Sequence, residues 1–132
     1  MKKEREARPK ILVIDDEPDF LRVLSLWLRE EYDATCLSSG AELSEQLLAL
    51  EPDLVLLDAH MPDADGFEIC RRLRAQPGGE DLPIVFLTGS RADEDFLRHI
   101  QAGGSRFLMK PIARRELLAA VKEELGLGSL RF

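Results

Sequence analysis

Asp15, Asp16, Asp58, Thr88 and Lys110 are spread over nearly the whole of a 132-residue chain, yet each ends or follows a short apolar run. The runs are Ile11-Leu12-Val13-Ile14, Leu54-Val55-Leu56-Leu57, Ile84-Val85-Phe86-Leu87 and Phe107-Leu108-Met109. If these runs are strands of one parallel sheet, their ends share an edge, and open α/β sheets bind ligands outside the carboxyl ends of their strands. Three carboxylates brought that close repel one another and raise one another's pKa unless a cation sits between them. Oxygen donors without His or Cys favour a hard cation, and Mg²⁺ suits a site completed by phosphate and water. Lys110 would add a fixed positive charge and Thr88 a hydroxyl donor. In that setting Asp58 is a nucleophile able to take up a phosphoryl group, as carboxylates that form aspartyl-phosphates do.

The elements that must position these residues are legible as well. Leu54 to Leu57 does not alternate apolar with polar, so it predicts a strand buried on both faces. Pro18 suits the first turn of a helix, and Phe20, Val23, Leu24, Trp27 and Leu28 repeat at helical spacing up to about Glu31. Trp27 is read as core. Ala34-Thr35-Cys36-Leu37 predicts a weaker strand at a sheet edge. Ser39 with Glu42 fits a capping box before Leu43, Leu47 and Leu50, and that helix should stop before Pro52. Asp65 with Glu68 repeats the capping pattern ahead of Ile69, Cys70 and Leu73, and Pro77-Gly78-Gly79 ends that helix. Ser90 with Asp93 caps the next, with Phe96 and Ile100 expected inward and Arg91, Glu94, Arg98 and His99 outward. Gly103-Gly104 closes it. The last helix, about 113–125, carries Leu117, Leu118, Val121 and Leu125, with Gly126 as its C-terminal cap. Five β-α units in succession demand a parallel sheet with helices on both sides. The expected fold is therefore flavodoxin-like and doubly wound, (βα)5, with strand order 2-1-3-4-5, which puts Asp15, Asp16 and Asp58 beside the switch-point crevice.

Bulk properties exclude several classes. The length fits one domain that can bury a core without disulfides or a structural metal, and 45% hydrophobic with 33% charged residues is globular. A formal charge of −7 argues against a sequence-independent nucleic-acid binder, so no direct nucleic-acid partner is expected. Cys36 and Cys70 fit no metal spacing and read as two buried, reduced thiols. No signal-peptide core follows the charged leader, residues 1–9, and no run approaches a membrane span. A cytoplasmic protein without membrane association is the expectation. Residues 10–126 form the folded unit and 127–132 a short tail.

Taken singly, each motif is common. In conjunction, Ile11-Leu12-Val13-Ile14-Asp15-Asp16-Glu17, Leu56-Leu57-Asp58-Ala59-His60-Met61-Pro62-Asp63-Ala64-Asp65-Gly66-Phe67-Glu68, Leu87-Thr88-Gly89 and Phe107-Leu108-Met109-Lys110-Pro111-Ile112 resemble the receiver domain of two-component response regulators. The resemblance covers about 10–126. It implies that Asp58 accepts phosphate from a histidine kinase or a histidine phosphotransfer protein, as a signalling switch rather than an enzyme acting on others. It implies Mg²⁺, for which Mn²⁺ can substitute, held by Asp16 and Asp58 directly, by Asp15 through water, and by the His60 backbone carbonyl. Thr88 would follow the phosphoryl group and Phe107 would swing inward behind it, changing the face made by the last two helices, where a downstream partner or output domain docks. The Lys110-Pro111 bond is expected to be cis. Homodimerisation through the final helices stays open. His60 departs from the family pattern two residues after the nucleophile. Its side chain should lie near the path of the attacking water, where it and Ser90 would set the lifetime of the phosphate. His60 also counts against a haloacid-dehalogenase-like phosphohydrolase, which wants a second acid there. The intact acid pair, Asp58, Thr88 and Lys110 count against a pseudo-receiver that never carries phosphate. Arg106 is read as a basic spot on the output face.

Overall fold

The computed structural model describes residues 8–38, 49–89 and 92–126. The four apolar runs become strands β1 (Lys10–Ile14), β3 (Leu54–Asp58), β6 (Ile84–Thr88) and β7 (Arg106–Met109), and β2 (Asp33–Leu37) adds the edge. They form one five-stranded sheet in the order β2-β1-β3-β6-β7, parallel throughout. A two-stranded antiparallel hairpin, β4 (His60–Met61) and β5 (Ala64–Asp65), lies between the third and fourth main strands. Discounting that hairpin, the order is 2-1-3-4-5, the expected doubly wound fold.

Every residue of β3 and of β6 is buried, which is why neither alternates in sequence. Successive side chains point to opposite faces of the sheet. Leu12, Ile14, Val55, Leu57 and Phe86 share one core with Phe67, Ile69, Cys70 and Leu73 of helix α2 (Gly66–Arg74) and with Ala102 of α3 (Ala92–Ala102). Ile11, Val13, Leu54, Leu56, Val85 and Leu87 share the other with Leu24 and Leu28 of α1 (Pro18–Leu28) and with Leu117 and Val121 of α4 (Arg114–Glu124). Two cores, one on each face, leave the strand ends as the place where polar groups meet.

Local signals hold with some corrections. Pro18 opens α1, Gly103 and Gly126 take positive φ at the ends of α3 and α4, and Lys110-Pro111 is cis. Asp65 caps α2 by accepting from the Phe67 N–H at 2.9 Å. Glu68, however, does not complete a capping box. Its carboxylate turns to Arg71 and Arg72 at 3.2 and 3.3 Å. Val23 is exposed, so the buried stripe of α1 is Leu24 and Leu28, flanked by half-buried Phe20 and Trp27. Cys70 is buried as expected but Cys36 only half so, because β2 is an edge strand. The Ser39–Glu42 cap and the helix through Leu43 and Leu47 lie outside the described residues, as do Ser90 and Arg91. Leu50, at the end of that stretch, is exposed.

The largest correction concerns α3. Phe96 and Ile100, expected inward, are 49% and 56% exposed, whereas Asp95 and His99 are 2% and 7% exposed. The helix is turned by one residue from the expected register. Among its described side chains the buried stripe is Asp95, His99 and Ala102, which keeps helical spacing but is polar at two of these three positions. His99 lies against the rings of Phe86, Phe96 and Phe107, with centroids 5.8, 5.6 and 5.5 Å away. Arg98 faces outward as expected, its guanidinium over the Phe67 ring at 4.5 Å.

Candidate functional site

The register of the sheet brings the expected residues to one edge. Ile14 pairs with Leu57, Asp58 with Leu87 and Thr88 with Met109, so Asp15, Asp58, Thr88 and Lys110 stand within a residue of one level. Backbone bonds carry the ladder past the strand ends. Asp15 N–H donates to Leu37 at 3.1 Å, Ala59 N–H to Leu87 at 2.8 Å and Lys110 N–H to Thr88 at 2.6 Å. The chemistry-bearing residues are thus held by the same bonds that hold the sheet.

Asp15, Asp16 and Asp58 each offer an oxygen, and these atoms all lie within 4.8 Å of one another. Asp15 is fully buried and Asp58 is 4% exposed. Asp15 Oδ1 accepts from the Glu17 N–H at 2.9 Å, while its buried Oδ2 receives no well-directed hydrogen bond although Lys110 Nζ is 2.9 Å away. Such an oxygen, aimed into a cluster of acids, fits a hard dication such as Mg²⁺. Asp58 has its pKa raised to about 7. Burial is the main cause, the Asp15 charge and a hydrogen bond with Asp16 add to it, and the His60 N–H and Lys110 pull the other way.

Lys110 is 4.0 Å from Asp58 Oδ2, and Glu17, the third acid of the run after β1, also holds it at 3.1 Å. Phe20 supports the ammonium with its ring face, 4.6 Å from Nζ. Burial alone would lower the Lys110 pKa, but the close approach of Asp15 and the charges of Asp58 and Asp15 outweigh it and raise it. Lys110 therefore remains a cation in the site.

Thr88 is fully buried, and its hydroxyl donates to Asp95 Oδ2 at 2.7 Å. His60 does not stand free over Asp58. Its Nε2 lies 2.9 and 2.8 Å from the two oxygens of Asp95. Asp95 is the site residue that sequence reasoning missed, since nothing marks one acid among several on a helix as buried. Phe107 is half-buried against the core, beside Phe96 and His99. Arg106, next to it, pairs with Glu123 and Glu124 at 2.7 and 2.9 Å, so it fastens β7 to α4 and is not an unpaired basic spot.

A cluster of acids, a fixed lysine and a strand-end threonine on this fold are the features of a known family, and residues 11–122 match the response regulator receiver domain. The chain belongs to that family. It is 37% identical over 119 residues to the DNA-binding response regulator MtrA of Mycolicibacterium smegmatis, covering 89% of this chain and 51% of that protein. It is 36% identical to the MtrA of Mycobacterium tuberculosis over the same length. The chain spans about half the length of these relatives. Among solved structures, it superposes with a TM-score of 0.83 on the receiver domain of the sensor histidine kinase PA1611 from Pseudomonas aeruginosa, at 30% identity over 91% of this chain and 99% of that one. That receiver has a magnesium ion coordinated in its active-site cleft. The BeF3-activated receiver domain of DrrB matches with a TM-score of 0.76 and 30% identity, over 89% of this chain and 97% of that one. The chain is thus a receiver domain of two-component response regulators, a signalling domain. No described helix is long and apolar enough to cross a membrane.

Proposed function

We propose that Asp58 is the phosphoacceptor of this receiver and that it takes the phosphoryl group from a histidine kinase or a histidine phosphotransfer protein. The observation that carries this reading is the meeting, at one sheet edge, of Asp58 with two further carboxylates and with Lys110. Asp58 displaces the donor's imidazole, so the N–P bond breaks as an O–P bond to the carboxylate forms. Asp15, Asp16, Asp58 and the His60 backbone carbonyl would hold Mg²⁺, or Mn²⁺ in its place, and the ion would neutralise charge on the phosphoryl oxygens. Lys110 supplies positive charge from the opposite side without needing to move. Thr88 donates its hydroxyl to the phosphoryl group once that group is in place, and half-buried Phe107 turns inward behind it. Hydrolysis of the acyl phosphate resets the domain slowly, and the chain acts on no other substrate.

The receiver unit runs over residues 10–126. The face built by α3, β7 and α4 then meets a protein partner, an output domain or a second copy. A domain carrying −7 formal charge reads its signal out through protein contacts and does not itself hold nucleic acid, in the cytoplasm of its cell. Intact mass after incubation with Mg²⁺ and acetyl phosphate tests the assignment. A phosphoryl adduct in the wild type that is absent from Asp58→Asn is expected. An adduct that persists in Asp58→Asn overturns the assignment, as does no adduct in the wild type.

A further inference from the structure

The buried polar face of α3 has a use that the phosphoacceptor site does not by itself explain. A threonine hydroxyl carries a single hydrogen, and that of Thr88 is given to Asp95 at 2.7 Å. While that bond stands, Thr88 has no hydrogen for a phosphoryl oxygen. Asp95 is 2% exposed, and a carboxylate so buried is costly to leave without donors. Its second donor is His60 Nε2, which must carry a hydrogen because the carboxylate only accepts. His60 comes from the hairpin that directly follows Asp58, and its backbone N–H donates to Asp58 at 3.2 Å. Across that hairpin, its register partner Asp65 accepts from Arg98 of α3 at 2.7 Å. The hairpin therefore grips α3 at two points, three residues apart, with donor and acceptor reversed between them.

Resting on the assignment of Asp58 as phosphoacceptor, we propose that Asp95 is a positioning residue that holds the Thr88 hydroxyl in the resting state. In this arrangement His60 lowers the cost of releasing it. When Thr88 leaves, Asp95 keeps one donor, so the carboxylate is not stranded. Asp95 favours the resting state and His60 favours the activated one, although the two side chains are partners in the same contact. A purely structural contact would weaken the fold, and with it binding, whichever partner was removed.

The test is the affinity of the wild-type chain and its variants for BeF3⁻ with saturating Mg²⁺, followed by NMR or calorimetry. Loss of a charge-assisted hydrogen bond from the resting state should tighten binding about tenfold in Asp95→Ala. Asp95→Asn keeps the volume and one acceptor, so it should give a smaller gain and serves if the alanine variant folds poorly. His60→Ala should weaken binding about threefold, because Thr88 must then abandon a buried carboxylate that has lost its other donor. In the double variant His60→Ala should have no further effect, since without Asp95 there is nothing for it to satisfy. Opposite signs for the two single variants support the latch. A shift in the same direction for both, or affinities of the Asp95 variants equal to wild type, overturns it while leaving Asp58 as phosphoacceptor. A wild-type chain that binds no BeF3⁻ overturns the Asp58 assignment and the latch with it.

Discussion

Replacing Asp58 with its neutral isostere asparagine should make the metal-free protein more stable. Asp58 is held at about 7 rather than its ordinary 3.8, chiefly because burial disfavours its charge and secondly because Asp15 repels it. At about 1.4 kcal/mol per unit, carrying that charge in the folded state costs at most about 4 kcal/mol. The charge is shared across the acids and Lys110, and an asparagine in its place would keep the shape but not every hydrogen bond. A net gain of about 2 kcal/mol is therefore the working figure for Asp58→Asn at pH 8 in EDTA. For a domain of this size that is a rise in Tm of about 6–10 °C. The sign follows from proton linkage. Between about pH 4 and 7 the folded state holds a proton that the unfolded state has lost, so wild-type stability falls as pH rises through that window. The variant lacks this term. Its advantage should therefore shrink to under about half by pH 5 and nearly vanish at pH 4. Added Mg²⁺ should stabilise the wild type at pH 8 and do much less for the variant. Thermal and urea unfolding across this pH range provide the assay. An Asp58→Asn protein less stable than wild type at pH 8 in EDTA would refute the reasoning, because the acids could not then be repelling one another in a buried cluster.

Other perturbations follow from the same geometry. A Cβ on Gly66 would run into the Asp58 carbonyl oxygen and come within 2.9 Å of the Ala59 Cα, both backbone atoms, so Gly66→Ala should cost about 1–3 kcal/mol. It should also reduce Mg²⁺-dependent phosphorylation, and an unchanged urea midpoint with unchanged adduct yield would show that the strand end tolerates the shift. Burial lowers the His99 pKa, so the folded state keeps this imidazole neutral and stability should be lost as pH falls below about 6.5, the opposite slope from Asp58. His99→Leu should flatten that acid limb, and an identical pH profile of urea unfolding in variant and wild type counts against it. Arg98→Ala removes an ion pair whose partners are both more than 40% exposed, so by denaturant midpoint it should cost under about 1 kcal/mol.

What was legible in the sequence is what depends on short-range rules. Buried parallel strands are continuous apolar runs, and a strand end followed by a polar residue needs no tertiary knowledge to locate. Given a parallel sheet, the meeting of Asp15, Asp16, Asp58 and Lys110 follows from topology alone, and the acids and lysine do meet. The register of α3 was not legible, because the helix carries two candidate stripes offset by one residue. Hydrophobicity selects Phe96 and Ile100. The fold selects Asp95 and His99, for reasons that lie in His60, 35 residues from Asp95, and in the ring of Phe86. A polar side chain is buried when distant partners satisfy it, and those partners are invisible to a local window. The partner of the His60 ring was hidden for the same reason. The position of His60 beside Asp58 was readable, but the acid that captures its ring was not.

The unusual dress of α3, polar within and apolar without, is itself a physical argument about how the domain can switch. Had Phe96 and Ile100 faced the sheet, their burial would have contributed roughly 1.5–3 kcal/mol each, spread over many weak contacts that no single event can cancel. Hydrogen bonds from Thr88 and His60 to Asp95 are few, directional and exchangeable. Under the proposed latch, a phosphoryl group on Asp58 competes for the Thr88 hydroxyl, and its release frees Asp95 from the strand end while His60 still holds it. Phe96, Leu97 and Ile100 meanwhile remain on the outside, beside exposed Met109 of β7, available to a partner rather than committed to the core. A helix anchored by apolar burial would be steadier and deaf to the site. Under the proposed latch through Asp95 it gives up some stability for a response, and replacing Asp95 and His99 together with leucine should raise Tm in thermal unfolding while uncoupling the outer face from Asp58.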